Sequence, residues 1–186
     1  MTRIIAGRLG GRRLTAPTGT HTRPTSDRVR EALFSSLATM TALTGARFAD
    51  LYAGSGAVGL ESLSRGASHA LLIESEPRAA HVIRGNIATL GLGTAARLIT
   101  GTVLKVVSQS PDGDPYDVVF ADPPYAVTEP ELLAVQRALL DNGWLAPEAV
   151  VVVERSTRTP STWVDGITAE RSRRYGETTL WYGRRS

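Results

Sequence analysis

From residue 47 onward the chain alternates short apolar runs with amphipathic stretches, and no other feature restricts its fold as much. The runs cover 47–52, 70–74, 96–100, 117–121 and 149–154 and are rich in Val, Ile, Leu and Ala. Each is too short for a buried helix and the right length for a strand. Between them, residues 57–65 predict a helix closed by Gly66. Residues 77–90 predict another, opened by Pro77, with Ala80, Ile83, Ile87 and Leu90 on one face and Gly91 at its end. Residues 129–141 begin with the capping box Thr128-x-x-Glu131 and stop at Asn142-Gly143. Apolar strands separated by helices pair in parallel with both faces covered, so the expected fold is α/β and Rossmann-like. After Thr162 the helical spacing fails, and 167–174 with 178–183 predict a terminal hairpin.

The opening residues follow a different pattern. Arg3-Ile4-Ile5-Ala6 and Arg12-Arg13-Leu14 flank Gly10-Gly11, which predicts a small β-hairpin arm over residues 1–22. The main domain, 23–186, then starts with a helix capped by Thr25 or Ser26, with Val29, Leu33, Leu37 and Met40 at helical spacing. Residues 1–30 hold seven arginines against the single acid Asp27, a net charge of +6, although the whole chain is only +3. A second cluster comprises Arg171, Arg173, Arg174, Arg184 and Arg185. Basic charge at both ends of the chain points to a polyanionic partner, with Arg3, Arg8, Arg12, Arg13 and Arg23 as candidate contacts.

Composition removes several alternatives. The chain has no cysteine, so disulfides, thiolate zinc sites and iron–sulfur clusters are excluded, and a cytoplasmic location is expected. The longest purely apolar run, 149–153, is far too short to span a membrane. His21, His69 and His81 have no metal-ligand spacing, and no metal is expected. A chain of this size is expected to act as a monomer.

Two motifs carry chemistry. Asp50-Leu51-Tyr52-Ala53-Gly54-Ser55-Gly56-Ala57-Val58-Gly59 follows the first parallel strand and opens a helix, and Glu74 ends the next strand. This spacing also matches a dinucleotide site, in which the glycines admit a ligand close to the backbone. Asp50 argues against a dinucleotide, because its carboxylate would oppose a pyrophosphate. It suits the amino end of S-adenosylmethionine, with Glu74 accepting the ribose hydroxyls. Thr102, at the end of the third strand, is placed to reach the adenine ring. The cofactor-binding set is therefore Asp50, Gly54, Gly56, Glu74 and Thr102.

The second motif is Asp122-Pro123-Pro124-Tyr125, directly after the apolar run 118–121. Two successive prolines supply no N–H and fix φ, so they make a stiff corner whose carbonyls stay out of the sheet ladder. The Asp122 carboxylate and the Pro123 carbonyl would accept the two N–H bonds of an exocyclic amine and expose its lone pair to a sulfonium methyl. Tyr125, with Pro124, would stack on a base swung out of its helix. Adenine, cytosine, guanine and a glutamine side chain all offer such a nitrogen. C5 methylation of a pyrimidine is excluded, because it needs the cysteine this chain lacks.

Taken together, these residues resemble the bacterial 16S ribosomal RNA guanine-N2 methyltransferases. The resemblance runs from Ile4-Ile5-Ala6-Gly7 and Gly11-Arg12-Arg13-Leu14 through Arg23-Pro24-Thr25, Arg28 and Arg30-Glu31 to the glycine loop. It continues through Glu61-Ser62-Leu63-Ser64-Arg65-Gly66-Ala67, Asp122-Pro123-Pro124-Tyr125, Glu154 and Tyr175-Gly176. It implies a class I methyltransferase sheet of seven mostly parallel strands with the last one antiparallel. It also implies S-adenosylmethionine as donor and S-adenosylhomocysteine as product. The acceptor would be a guanine N2 of 16S rRNA, in a partly assembled small subunit, with the N-terminal arm gripping RNA. Tyr52 stands where phenylalanine is commoner, and Thr102 where many methyltransferases have an acid. The segment Arg23-Pro24-Thr25 borders either the cofactor or the target base. The alternatives are an adenine-N6 methyltransferase of DNA or RNA and a protein glutamine methyltransferase.

Overall fold

The computed structural model describes residues 2–18 and 25–186, so Arg23, Pro24 and His21 lie outside the described residues. The chain opens with β1 (Thr2–Arg3) and β2 (Arg13–Leu14), paired antiparallel. α1 (Asp27–Met40) follows, and the Ser26 hydroxyl caps it by accepting from the Val29 N–H. Next come β3 (Arg47–Leu51), α2 (Ala57–Ser64), β4 (His69–Glu74), α3 (Pro77–Thr89), β5 (Ala96–Thr100) and α4 (Val103–Val107). The chain ends with β6 (Tyr116–Ala121), α5 (Glu129–Asp141), β7 (Leu145–Ser156), β8 (Ile167–Tyr175) and β9 (Thr178–Arg185).

Seven strands form one sheet in the order β5-β4-β3-β6-β7-β9-β8. β3 to β7 are parallel, and only the last strand, β9, runs against its neighbours, as expected. The apolar runs require cover on both faces, and they have it. On one face Val103 and Val107 of α4 and Val135 and Leu139 of α5 join Ala49, Leu71, Val119 and Val151. On the other, Leu33, Phe34 and Leu37 of α1 meet Phe48, Val118, Phe120, Val150 and Val152. Beside them Leu60 and Leu63 of α2 and Ile83 of α3 lie with Ala70 and Leu72. Because β4 and β6 flank β3 on opposite sides, the loops after β3 and β6 diverge and leave a crevice at the strands' carboxyl ends.

Two local features depart from expectation. α4 was not predicted, since five residues give too little periodicity to separate a helical turn from the end of a strand. β7 starts earlier than residue 149, with Glu148 at φ 60° and a register shift opposite Tyr116 to Val118. That irregularity lets one strand serve both its early pairing and the continuous apolar run 149–153.

The N-terminal hairpin is docked rather than free. Ile4 and Leu14 are buried in the same cluster as Leu60 and Leu63. At the contact lies the fully buried Glu61 of α2. One of its oxygens accepts from the Ile5 N–H at 2.8 Å and lies 3.5 Å from Arg30 Nε. The other accepts from the Ala6 N–H at 3.0 Å and from Arg65 Nε at 2.8 Å. Arg30 is itself fully buried, and its guanidinium also donates to the Arg3 carbonyl and to Asp27. Burial lowers the Arg30 pKa, against the opposing pull of Glu61 and Asp27. Gly7 completes the docking at φ 81°, where a Cβ would stand 1.9 Å from the Ser64 carbonyl oxygen.

Removing one partner of a buried ion pair leaves the others uncompensated, at a cost of about 3–5 kcal/mol. Glu61→Ala should therefore lower the melting temperature by roughly 6–20 °C for a domain of this size. A calorimetric scan checks this. A drop of under about 2 °C would mean that the apolar contacts of Ile4 and Leu14 hold the hairpin unaided.

Candidate active site

The crevice holds a cavity of about 830 Å³, walled by the ends of β3, β4, β6 and β7 and the loops that leave them. After β3 the backbone turns sharply, with Tyr52, Gly54 and Gly56 at φ 60°, 61° and 81°. A Cβ on Gly54 would meet open space, so the loop presents bare backbone to the cavity. Gly56 and Gly59 serve a different end. A Cβ on either would come within about 3.0 Å of Leu72, so their absence of side chain lets α2 lie close on the sheet.

Asp50 and Glu74 line this half of the cavity with Glu76. Glu74 braces the loop, accepting from the Gly54 N–H at 2.8 Å through one oxygen and from the Glu76 N–H at 2.9 Å through the other. Asp50 is only 2 % exposed and accepts from the Gly59 N–H, at the start of α2, at 2.9 Å. Burial raises its pKa well above the ordinary carboxylate value. The Gly59 hydrogen bond opposes that shift, and the nearby Glu74 charge adds to it. Thr102 is exposed at the N-terminus of α4, and its side chain makes no capping bond there. It too lines the cavity.

The facing wall is built by β6 and β7. Asp122 to Tyr125 leave the end of β6. Pro123 is buried, and the Pro124 carbonyl accepts from the Val127 N–H at 3.0 Å to close a tight turn. Arg155 secures the far side of that turn, with both terminal nitrogens 3.4 Å from the Val127 carbonyl oxygen and one 3.7 Å from Glu129. Tyr125 is 81 % exposed at the cavity rim, the one large apolar side chain so placed among the described residues. Tyr52 lines the cavity between these walls, and burial pushes its hydroxyl up to about 12, helped by Glu131 and opposed by Arg155.

Most of the expected site residues thus share one cavity: Asp50, Gly54, Glu74, Thr102 and the run Asp122 to Tyr125. Gly56 lies beneath it as a packing residue. Arg3, Arg8, Arg12 and Arg13 lie on the hairpin, outside the cavity and exposed. Arg3 is 3.5 Å from Asp27, and Arg12 donates to the Thr89 carbonyl at 2.9 Å.

Sequence reasoning misses Asn86, and it points to Thr25 and Glu154 near the cleft without joining them to Asp122. Buried Asn86 of α3 accepts from the Thr15 N–H at 2.8 Å and donates at 2.9 Å to the carbonyls of Thr15 and Ser55. It joins the segment after the hairpin to the glycine loop. Its signal was a polar side chain at core spacing between Ile83 and Leu90. Thr25 and Glu154 meet Asp122: the Thr25 hydroxyl lies 3.2 Å from both Asp122 Oδ2 and Glu154 Oε2. Ala16 and Pro17 also line the cavity, so the N-terminal segment borders it on both sides of residues 19–24.

The chain is similar to known proteins over most of its length. The family model described as conserved hypothetical protein 95 matches residues 2–184. Ribosomal RNA small subunit methyltransferase D of Escherichia coli K12 is 43 % identical over 152 residues, covering 82 % of this chain and 73 % of its own. The solved structure of the yhhF protein of E. coli superposes with a TM-score of 0.86 at 36 % identity, covering 99 % of this chain and 97 % of that one. An RNA methyltransferase from Salinibacter ruber, solved in complex with S-adenosyl-L-homocysteine, shares the fold with a TM-score of 0.65 at 16 % identity, over 87 % and 93 % of the two chains.

The state of Asp50 has a measurable consequence. Its folded-state pKa is raised, so above its ordinary value of 3.8 the folded chain holds a proton that the unfolded chain has lost. Stability therefore falls as pH rises from that value to the raised one, and stays reduced beyond it. Asp50→Asn keeps an acceptor for the Gly59 N–H and removes the charge. In pH-resolved melting curves of the ligand-free protein, the variant should gain on the wild type as pH rises toward neutrality. Parallel curves would show that the buried carboxylate carries no such cost.

Proposed function

Because this chain belongs to the family of the ribosomal RNA small subunit methyltransferases D, we propose that it methylates the exocyclic N2 of a guanine in 16S rRNA. S-adenosylmethionine is the donor and S-adenosylhomocysteine the product. The observation that carries this reading is the single cavity that joins the glycine loop and Glu74 to the Asp122-Pro123-Pro124-Tyr125 corner.

The residues present fit the cofactor. The Gly54 backbone leaves space for a ligand, and the acids around it suit hydroxyls and an ammonium rather than phosphate. Asp50 would hold the amino group, Glu74 the ribose hydroxyls and Thr102 the adenine edge. Each carboxylate oxygen can accept more than the one backbone bond described. When bound, the cofactor supplies a sulfonium methyl, an electrophile that needs only an aligned nucleophile.

The facing wall prepares that nucleophile. The guanine amino nitrogen is poor because its lone pair is delocalised into the ring. Asp122 and the Pro123 carbonyl accept its two N–H bonds, favour a pyramidal nitrogen and turn the lone pair into the cavity. As the methyl passes from sulfur to nitrogen, its C–S bond breaking as the C–N bond forms, Asp122 would stabilise the positive charge on nitrogen and accept the proton that it sheds. The rate then comes from proximity and charge placement. Tyr125, exposed at the rim, stacks on the extruded base.

In this reading residues 1–22 contact RNA and residues 23–186 carry the chemistry. The substrate is 16S rRNA in a partly assembled small subunit, met in the cytoplasm by a monomer. Arg8 and Arg13 are exposed on the hairpin, well placed for phosphate contact.

The deciding experiment offers labelled S-adenosylmethionine with undermethylated small subunits, naked 16S rRNA or duplex DNA, and identifies the product nucleoside by mass spectrometry. N2-methylguanosine from the ribosomal substrates is expected. Methyladenine would replace the base, and label on glutamine would replace the substrate class. Asp122→Ala should lower kcat by about 10²–10³-fold while S-adenosylhomocysteine affinity, read by calorimetry, is unchanged. Reversing Arg8 and Arg13 to Glu should weaken RNA binding and reduce the slope of log K against log salt by about two. An unaltered slope would take the hairpin out of the RNA interface.

A further inference from the structure

The corner at Asp122 accepts any exocyclic amine, so it does not by itself choose between guanine, adenine and cytosine. We propose that Glu154 makes that choice, accepting the N1–H of guanine while Asp122 accepts an N2–H. This inference rests on the guanine-N2 reading above and names the residue that enforces it.

β6 and β7 are parallel neighbours, and Ala121 pairs with Val153, so Asp122, the first residue after β6, lies beside Glu154, which is still within β7. Glu154 follows Val150 and Val152 in the two-residue period of β7, which puts it on the α1 face of the sheet. There it is only 9 % exposed and lines the cavity. The Thr25 hydroxyl marks a position 3.2 Å from one oxygen of each acid. A donor at that position is within hydrogen-bond distance of both carboxylates.

The bases differ in what they bring to such a pair. Guanine presents the N1–H and the N2 amino group as neighbouring donors. Adenine places the lone pair of N1 beside its 6-amino group, and cytosine places the lone pair of N3 beside its 4-amino group. With the amine held at Asp122, a second carboxylate completes a hydrogen bond to guanine alone. Opposite adenine or cytosine the carboxylate meets a lone pair, which repels it where guanine would donate. Thr25 is a positioning residue in this scheme, its single hydroxyl proton able to bond either acid at 3.2 Å.

The test uses the whole protein and a ribosomal substrate carrying either guanine or 2-aminopurine at the methylated position. 2-Aminopurine keeps the 2-amino group and replaces the N1–H with a lone pair. Wild type should prefer guanine by about 100-fold or more in kcat/KM. Glu154→Gln preserves the shape and offers an amide that donates as well as accepts. It should lose activity on guanine, gain on 2-aminopurine and shrink the preference below about tenfold, with S-adenosylhomocysteine affinity unchanged. Equal losses on both substrates would reduce Glu154 to a structural role and overturn the proposal, as would a wild type indifferent to the two bases. If the wild type yields no N2-methylguanosine, the guanine-N2 reading itself falls, and that failure is distinct from a Glu154→Gln that leaves the preference intact.

Discussion

The buried carboxylate of Glu61 is the interaction on which the arrangement of the N-terminal third depends. It satisfies two backbone N–H groups of the hairpin and neutralises guanidinium groups from α1 and α2 at once. Such a cluster is weak evidence for stability, because desolvating the charges offsets most of their attraction. Its effect is geometric: each partner would be left buried and unsatisfied in any other placement. With the hairpin held on α2 and Asn86 holding Thr15 to the glycine loop, the segment beyond β2 is led to the cavity rather than into solvent.

Charge is sorted by location. Among the described residues the cavity wall carries seven acids, Asp122 and Glu154 among them, against the single arginine Arg155, while other arginines are gathered on the hairpin and the β8–β9 edge. In the proposed reading, an acidic interior suits a ligand that carries ammonium and sulfonium charge, and a basic surround suits a polyanion from which one base would be extracted. The two tendencies would conflict in one continuous surface. Separating them by burial, with Asp50 nearly inaccessible and Arg8 and Arg13 exposed, lets both operate. The cost is borne locally, as the raised pKa of Asp50 shows.

Much of this was legible in the sequence, and for a common reason. The helices α2, α3 and α5 start and stop at caps, glycines and prolines that act within a few residues. The strands β3 to β6 declare themselves by short apolar composition. The five-residue α4 lacked such a signal, and the early start of β7 depended on an irregularity in its pairing with β6. The glycine loop and the proline corner were readable because each is a contiguous string whose chemistry is local. The hairpin was also expected, but its attachment through Glu61 was not, since Ile5 and Glu61 are 56 positions apart.

By itself, then, the sequence determined the fold class, the glycine loop, the proline corner and the excess of arginine near the start, because backbone preference, periodicity and charge are local properties. Tertiary structure decided which acids share the cavity and which glycines face it rather than the core. It brought Thr25, Asp122 and Glu154 to one point across separations of 97 and 129 residues. No local pattern encodes that meeting. It follows from parallel register, which sets the end of β6 beside Glu154 of the longer β7, and from the docked N-terminal segment, which brings Thr25 down upon them.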